Sequence, residues 1–274
     1  MAEALPIRDR TGEIDGQPIF WREAAGSAPP VLYVHGVPTS SRDWLPFLAR
    51  TGGLAPDLPG FGQSSKRGDL GFSIPFYDGW IETFLAATGA DRIRLVVHDW
   101  GAAALAFAQR HPERIERLVI INAVPLLPGY RWHRIARVWR TRFAGEFAMG
   151  LVSRRTLGWI SREANATPGP MPDDFVRATA AAFDQGTQRA ILRLYRSAPP
   201  AALAAAGEHL GAITAPALVV WGEQDPYIPA RFGADYAAAL GGETAVELLP
   251  DAGHWPWLDR PDLVGTVAAF LDGG

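Results

Sequence analysis

The chain has 274 residues, 48% hydrophobic and 20% charged, enough for the core of one large α/β domain, with or without an inserted subdomain. Its net charge of −3 gives no footprint for nucleic acid or an anionic membrane, and the absence of cysteine excludes disulfides, thiolate metal sites and cysteine nucleophiles. The N-terminal stretch lacks an apolar signal core and no uncharged run reaches the ~20 residues of a membrane helix, so a soluble, cytoplasmic protein is expected.

In chain order, the stretches near Ile14 and Ile19–Arg22 read as an antiparallel edge. "VLYVHG" (31–36), "IRLVVHD" (93–99), "RLVIIN" (117–122) and "PALVVWG" (216–222) do not alternate polar with apolar, which predicts strands buried on both faces. Helical patterns separate them at Ser41–Arg50, Ser73–Thr88, Gly101–Gln109, Phe232–Leu240 and Asp262–Leu271. The alternation predicts an α/β fold, a mostly parallel central sheet with helices on both faces. Residues 125–211 break the rhythm: they are rich in Ala, Arg and Trp, carry no strand pattern, and contain a turn-like "NATPGPMPDD" (165–174). They are expected to form a helical cap, leaving 1–124 and 212–274 as the core domain. Within them "YRWHRIARVWRTRF" (130–143) predicts a helix with Trp132, Ala136, Trp139 and Phe143 on an apolar face and a solvated arginine ridge opposite.

Asp99 stands where a buried strand gives way to a helix, followed by the small residues Gly101, Ala102 and Ala103. An aspartate there serves either as a helix cap or as a nucleophile raised above the sheet on a strained turn. Three other stretches bear on the choice. "HGVPTSS" (35–41) follows a strand and can offer the backbone N–H of Val37, together with that of Trp100, to an oxyanion. "VVWGEQDPYIP" (219–229) sets Asp225 just beyond a strand end, and "LLPDAGHWPWLD" (248–259) carries His254 in a loop before the last helix. The order Asp99, Asp225, His254 is nucleophile, acid, histidine.

With "HGVP", "DLPGFGQS", "VVHDWG", "WGEQDP" and "DAGHWPW" in this order, the sequence resembles the α/β-hydrolase superfamily over essentially its full length. The branch with an aspartate nucleophile, epoxide hydrolases and haloalkane dehalogenases, is the most similar. The resemblance implies attack by Asp99 on an sp³ carbon, giving an alkyl ester. Water activated by His254 and Asp225 then hydrolyses it, with the Val37 and Trp100 N–H groups holding the oxyanion. An ordinary carboxylate, with a pKa of ~4, is already ionised at neutral pH and needs no base.

The leaving group separates the two activities. An epoxide oxygen wants a proton donor, and the resemblance implies a cap tyrosine, for which Tyr195 in "ILRLYRSAPP" stands. A halide wants N–H donors. Trp100 supplies an indole, and Trp132 or Trp139 could supply another, but Val37 occupies the position where many dehalogenases carry asparagine. Trp100, in place of the arginine of fluoroacetate dehalogenases, disfavours haloacids. On this balance the epoxide hydrolase reading is preferred, with haloalkane dehalogenase as the alternative and a ligand-binding protein with an idle site as a third. His35, Trp100, Tyr130, His133, Trp139 and Trp255 are the pocket candidates. His35 is also read as orienting its own loop and His98 as packing beneath the nucleophile. The histidines are too scattered for a metal site, and no cofactor is expected. The expected partners are a small hydrophobic substrate and water, without nucleic acid or membrane; a homodimer stays open.

Overall fold

A computed structural model describes residues 4–273. Strands β1 (Ile7–Ile14) and β2 (Gln17–Ala24) form an antiparallel hairpin whose turn holds Asp15 and Gly16 at positive φ. That is the backbone an Asp-Gly pair adopts readily in a two-residue turn. Next come β3 (Val31–Val34), a 3-10 turn (Ser41–Trp44), α1 (Leu45–Thr51), β4 (Gly53–Pro56), α2 (Ile74–Thr88) and β5 (Ile93–Asp99). After these come α3 (Ala104–Arg110) and β6 (Ile115–Ala123). Then α4 (Arg134–Arg140), α5 (Ala144–Gly150), α6 (Arg154–Ile160), α7 (Asp173–Ala182), α8 (Gln185–Ser197) and α9 (Pro200–Ala206) follow with no strand between them. The chain re-enters the sheet at β7 (Ala217–Gly222) and closes with α10 (Arg231–Ala239), β8 (Thr244–Leu249), α11 (Pro256–Asp259) and α12 (Leu263–Leu271).

Among the described residues eight strands form one sheet in the order β1-β2-β4-β3-β5-β6-β7-β8, parallel from β4 to β8. Side chains alternate between its faces, as the pleat requires. Leu95 and Val97 of β5 join a core with Tyr77 and Phe84 of α2, Phe107 of α3 and Tyr236 of α10. Val96 points the other way, into a core with Phe47 of α1 and Val267 of α12. Both faces are covered, which is why the central strands read as unbroken aliphatic runs. Helix α2 shows its boundaries in its residues: the Ser73 hydroxyl accepts from Phe76 N at 3.3 Å, and Gly89 ends the helix at φ 70°.

The sequence reading lacks two strands. β4, "GLAP", has only four residues, bounded by Gly53 and Pro56, which speak against a strand. β8, "TAVELL", is a half-exposed edge strand and so shows no buried run. The cap helix expected over 130–143 also needs correction. It extends only over α4, because His133 caps it, its Nδ1 accepting from Ala136 N at 3.4 Å, and Thr141 turns to extended backbone. Trp132 therefore precedes the helix, and Phe143 follows it, 74% exposed rather than on a buried face. Arg140 leaves the supposed solvated ridge and donates to the carbonyls of Tyr195 and Ala198 at the end of α8. Among the described residues no helix is long and apolar enough to cross a membrane.

Candidate active site

Asp99 ends β5 at φ 47° and ψ −120°, a conformation few side-chain-bearing residues adopt. The turn is tight enough to dictate its neighbours. A Cβ on Gly36 would lie 2.5 Å from Asp99 Oδ2, and one on Gly101 2.1 Å from the carbonyl oxygen of Val34. Asp99 makes no helix-capping bond. Its Oδ2 instead accepts the Val37 N–H at 2.8 Å, so the carboxylate turns toward the "HGVP" loop. That loop is fixed from below: His35 Nε2 accepts from Leu58 N at 2.9 Å, and Asp57 Oδ1 accepts from Ser41 N at 2.8 Å. Both partners, Asp57 and Leu58, open the "DLPGFGQS" stretch.

His254 arrives from the loop after β8. Its Nδ1 lies 2.7 Å from Asp225 Oδ2, while Nε2 stands 4.0 Å from Asp99 Oδ1, beyond hydrogen-bond reach. Asp225 Oδ1 accepts from the backbone N–H groups of Tyr227 (2.7 Å) and Ile228 (3.1 Å). Asn122, at the end of β6, donates its Nδ2 to Asp225 Oδ2 at 2.7 Å and accepts from Gly222 N at 2.9 Å. The histidine loop is held from two sides. His98 Nε2 donates to the His254 carbonyl at 2.8 Å, and His254 N donates to the carbonyl of Ala164 at 2.8 Å. Asp99, Asp225 and His254 thus converge at the carboxyl edge of the parallel strands.

Burial raises the Asp99 pKa above the usual carboxylate value, against the opposing pull of His254 and the Val37 and Trp100 N–H groups. The ordinary pKa assumed from the sequence is therefore corrected upward. Burial alone would lower the His254 pKa; the charge and hydrogen bond of Asp225, with Asp99 and Asp43, outweigh it and raise it. Asp43 is a further buried carboxyl, unnoticed in the sequence. It accepts from Thr39 Oγ1 at 2.5 Å, and burial pushes its pKa up to about 7.

A cavity of about 220 Å³ opens above Asp99 and His254, walled by Val37, His133, Trp139, Tyr195 and Trp255. Tyr195, on α8, meets the Trp100 ring edge-on at 5.1 Å and 71°. The buried Trp100 Nε1 has no full hydrogen-bond partner, yet it faces the Tyr195 oxygen closely enough to draw its pKa down; burial dominates and raises that pKa well above a free phenol. Tyr227, which sequence reasoning missed, also lines the cavity and stands edge-on to His254 at 5.0 Å.

Three pocket candidates lie elsewhere. His35 is fully buried beneath its loop, Nδ1 bonded to the Gly36 carbonyl at 2.7 Å and Nε2 to Leu58 N. Tyr130 packs against Trp132 and Phe232, its hydroxyl donating to the Tyr227 carbonyl at 3.4 Å. Trp100 stands behind Tyr195 rather than on the wall. Trp132, proposed as a halide donor, already gives its indole N–H to the Ala198 carbonyl at 2.8 Å. A larger groove of about 700 Å³, lined by residues 23–30 and 88–92, contains none of the three converging groups.

This fold, with an aspartate on the turn after β5 and a histidine–aspartate pair beside it, defines an α/β hydrolase. The alpha/beta hydrolase fold family matches residues 29–261, and the chain belongs to that family. It is 30% identical to a haloalkane dehalogenase of Mesorhizobium japonicum, over 97% of this chain and 90% of that protein. It is 33% identical to haloalkane dehalogenase 1 of Mycobacterium tuberculosis, over 73% of this chain and 69% of that protein. The crystal structure of a haloalkane dehalogenase from Bradyrhizobium elkani superposes with a TM-score of 0.82 at 27% identity, covering 98% of each chain. These relatives are consistent with the aspartate-nucleophile branch.

Proposed function

We propose that the chain is a haloalkane dehalogenase. The observation that carries this reading is the placement of Trp100, immediately after Asp99, whose indole N–H lacks a full hydrogen-bond partner and faces the hydroxyl of Tyr195 on the cavity wall. A buried donor that is only partly satisfied is costly unless something completes it, and in this reading a departing halide between the indole and the Tyr195 hydroxyl does so. Relatives named as haloalkane dehalogenases support the choice over the epoxide reading preferred from sequence.

In this mechanism an Asp99 carboxylate oxygen forms a bond to the carbon that bears the halogen. The carbon–halogen bond breaks with its electron pair, and the halide is received by the Trp100 N–H and the Tyr195 O–H. The ester on Asp99 is then attacked by water, whose proton goes to His254 Nε2 while Asp225 holds the imidazole from Nδ1. The Val37 N–H, already on Asp99 Oδ2, and the Trp100 backbone N–H stabilise the oxyanion. Collapse releases the alcohol and restores the carboxylate; the proton passes from His254 to solvent. The apolar cavity suits an uncharged substrate.

The Tyr195 hydroxyl in the cavity wall favours a second reading, opening of an apolar epoxide with Tyr195 as proton donor. Steady-state rates on 1-bromobutane and styrene oxide separate the two. With His254→Ala, intact-mass spectrometry should show one alkyl group added and peptide mapping should place it on Asp99. A protein that neither turns over nor retains any haloalkane or epoxide would be an idle scaffold.

A further inference from the structure

Helix α5 is apolar on both sides, but the protein covers only one of them. Ala148 and the following Val152 line the cavity, and Gly145 and Met149 are buried. On the opposite side Phe143, Phe147 and Leu151 follow one another at helical spacing and are 74%, 72% and 59% exposed, with Trp159 of α6 at 75%. A row of large apolar side chains left in water, on a helix already buried along its other side, calls for cover.

The charge around it indicates what that cover is. Residues 125–211 hold twelve arginines and six acidic residues, a balance of +6 that leaves −9 on the rest of a chain whose total is −3. The whole-chain charge, from which the sequence reading excluded a membrane footprint, hides this division. Between residues 131 and 163 stand eight arginines and two acids, and both acids are paired: Glu146 with Arg196, and Glu163 with Arg134. Among the described residues Arg131, Arg137, Arg142, Arg155 and Arg162 are exposed without an ion pair, and Arg142 lies over the Phe143 ring at 5.1 Å.

We propose that this face of α4–α6 docks peripherally on an anionic lipid surface, the aromatic side chains entering the headgroup boundary and the free arginines meeting lipid phosphates. Aromatic residues framed by arginine are the composition such a boundary selects. A second copy of the chain fits poorly, since a two-fold pairing of this face would set the unpaired arginines against their own equivalents. The same helices roof the cavity, so an apolar substrate dissolved in the bilayer would meet the enzyme on the side where its cavity lies. Docking needs no turnover and stands apart from the dehalogenase reading.

Cosedimentation with vesicles of equal phosphatidylglycerol and phosphatidylcholine, against vesicles of phosphatidylcholine alone, tests the proposal. Binding to the anionic vesicles should be about tenfold or more tighter and should weaken as salt screens the arginines. Phe147→Ser with Trp159→Ser should release the protein, with an unchanged circular dichroism spectrum establishing that it is folded. Arg142→Gln with Arg155→Gln should remove most of the preference for anionic lipid. Failure to bind anionic vesicles, or binding unchanged in both double variants, overturns the proposal. A dimer in sedimentation velocity that Phe147→Ser disperses also overturns it, by assigning the face to a second copy.

Discussion

Asn122 donates its side-chain N–H to Oδ2 of Asp225, the same oxygen that holds His254 Nδ1. Two donors on one carboxylate oxygen fix where the imidazole points, and the Asn122 side chain, on a residue with a positive φ of 36°, is itself held by the bond from Gly222 N. Asn122→Ala removes one of these donors and leaves Asp225 to its backbone partners. A hydrogen bond to a charged group is worth about 1.5–3 kcal/mol, so hydrolysis of the ester should slow about tenfold or more. Formation of the ester should not. Rapid-quench measurement should show an undiminished burst of halide followed by slower turnover; a reduced burst would place Asn122 in the alkylation step.

Trp100→Phe and Tyr195→Phe distinguish the leaving groups. Each keeps a ring and deletes one donor. Losing a donor to a developing negative charge typically costs about 10²–10³ in rate. On 1-bromobutane the Trp100 change should reach that range and the Tyr195 change should be smaller, since a halide gains less from a phenol. On styrene oxide the order should reverse. A bromide rate unaffected by Trp100→Phe would remove the indole from the mechanism.

The pH dependence follows from His254, which must be neutral to take a proton from water. Its pKa is raised, so activity should be lost as pH falls through a midpoint above the ordinary histidine value, and should be full on the alkaline side. Esterification neutralises Asp99, one of the charges that raise it, so kcat should show a lower midpoint than the free protein's imidazole titration observed by NMR. An acid limb below the ordinary value in the free protein would contradict the electrostatics of the site.

Asp43 carries the opposite charge and a stability consequence. Its pKa rises from 3.8 to about 7 on folding, so the carboxyl favours the folded state fully below the unfolded value and that contribution is lost as pH rises through about 7. Asp43→Asn should therefore be more stable than the unmodified protein at pH ~8, by at most about 4 kcal/mol from the size of the shift, with the gap closing toward pH ~4. Urea denaturation at the two pH values measures it. A gap of the same size at both would mean that Asp43 does not titrate between them.

The convergence of Asp99, Asp225 and His254 could be read from the chain because each ends a buried strand or sits in a loop after one, and the turn chemistry around Asp99 leaves a local mark in Gly101 and its neighbours. The support of the site left weaker marks. Asn122 shows only as a polar residue closing "RLVIIN", and Asp43 looks like any acid at a helix start until Thr39 and Trp255 close around it. The stretch between β6 and β7 was legible as helical and misread in its faces. Periodicity carried the helix through Trp132 and Phe143, whereas the His133 cap and the extended Thr141 stop it at α4. Trp100, Trp132, Trp139 and Tyr195 could be named from the sequence as candidate donors, but not sorted. Whether Trp132 or Trp100 keeps a free indole depends on where the Ala198 carbonyl lands, and that is a tertiary fact.

The bond from His254 N to the Ala164 carbonyl also changes how this enzyme can be recombined. Gly253 lies so close that a Cβ there would come within 2.0 Å of the same carbonyl, and Asp259 accepts from both Gly253 N and Ala166 N. The helical insertion is thus grafted into the frame of the His254 loop at residues 164–166. A chimera that exchanges the roof wholesale would disturb the base it was meant to leave alone. Splice points that keep 164–166 with 253–259 as one inherited unit should preserve the imidazole while the rest of the roof, and with it substrate choice, is varied.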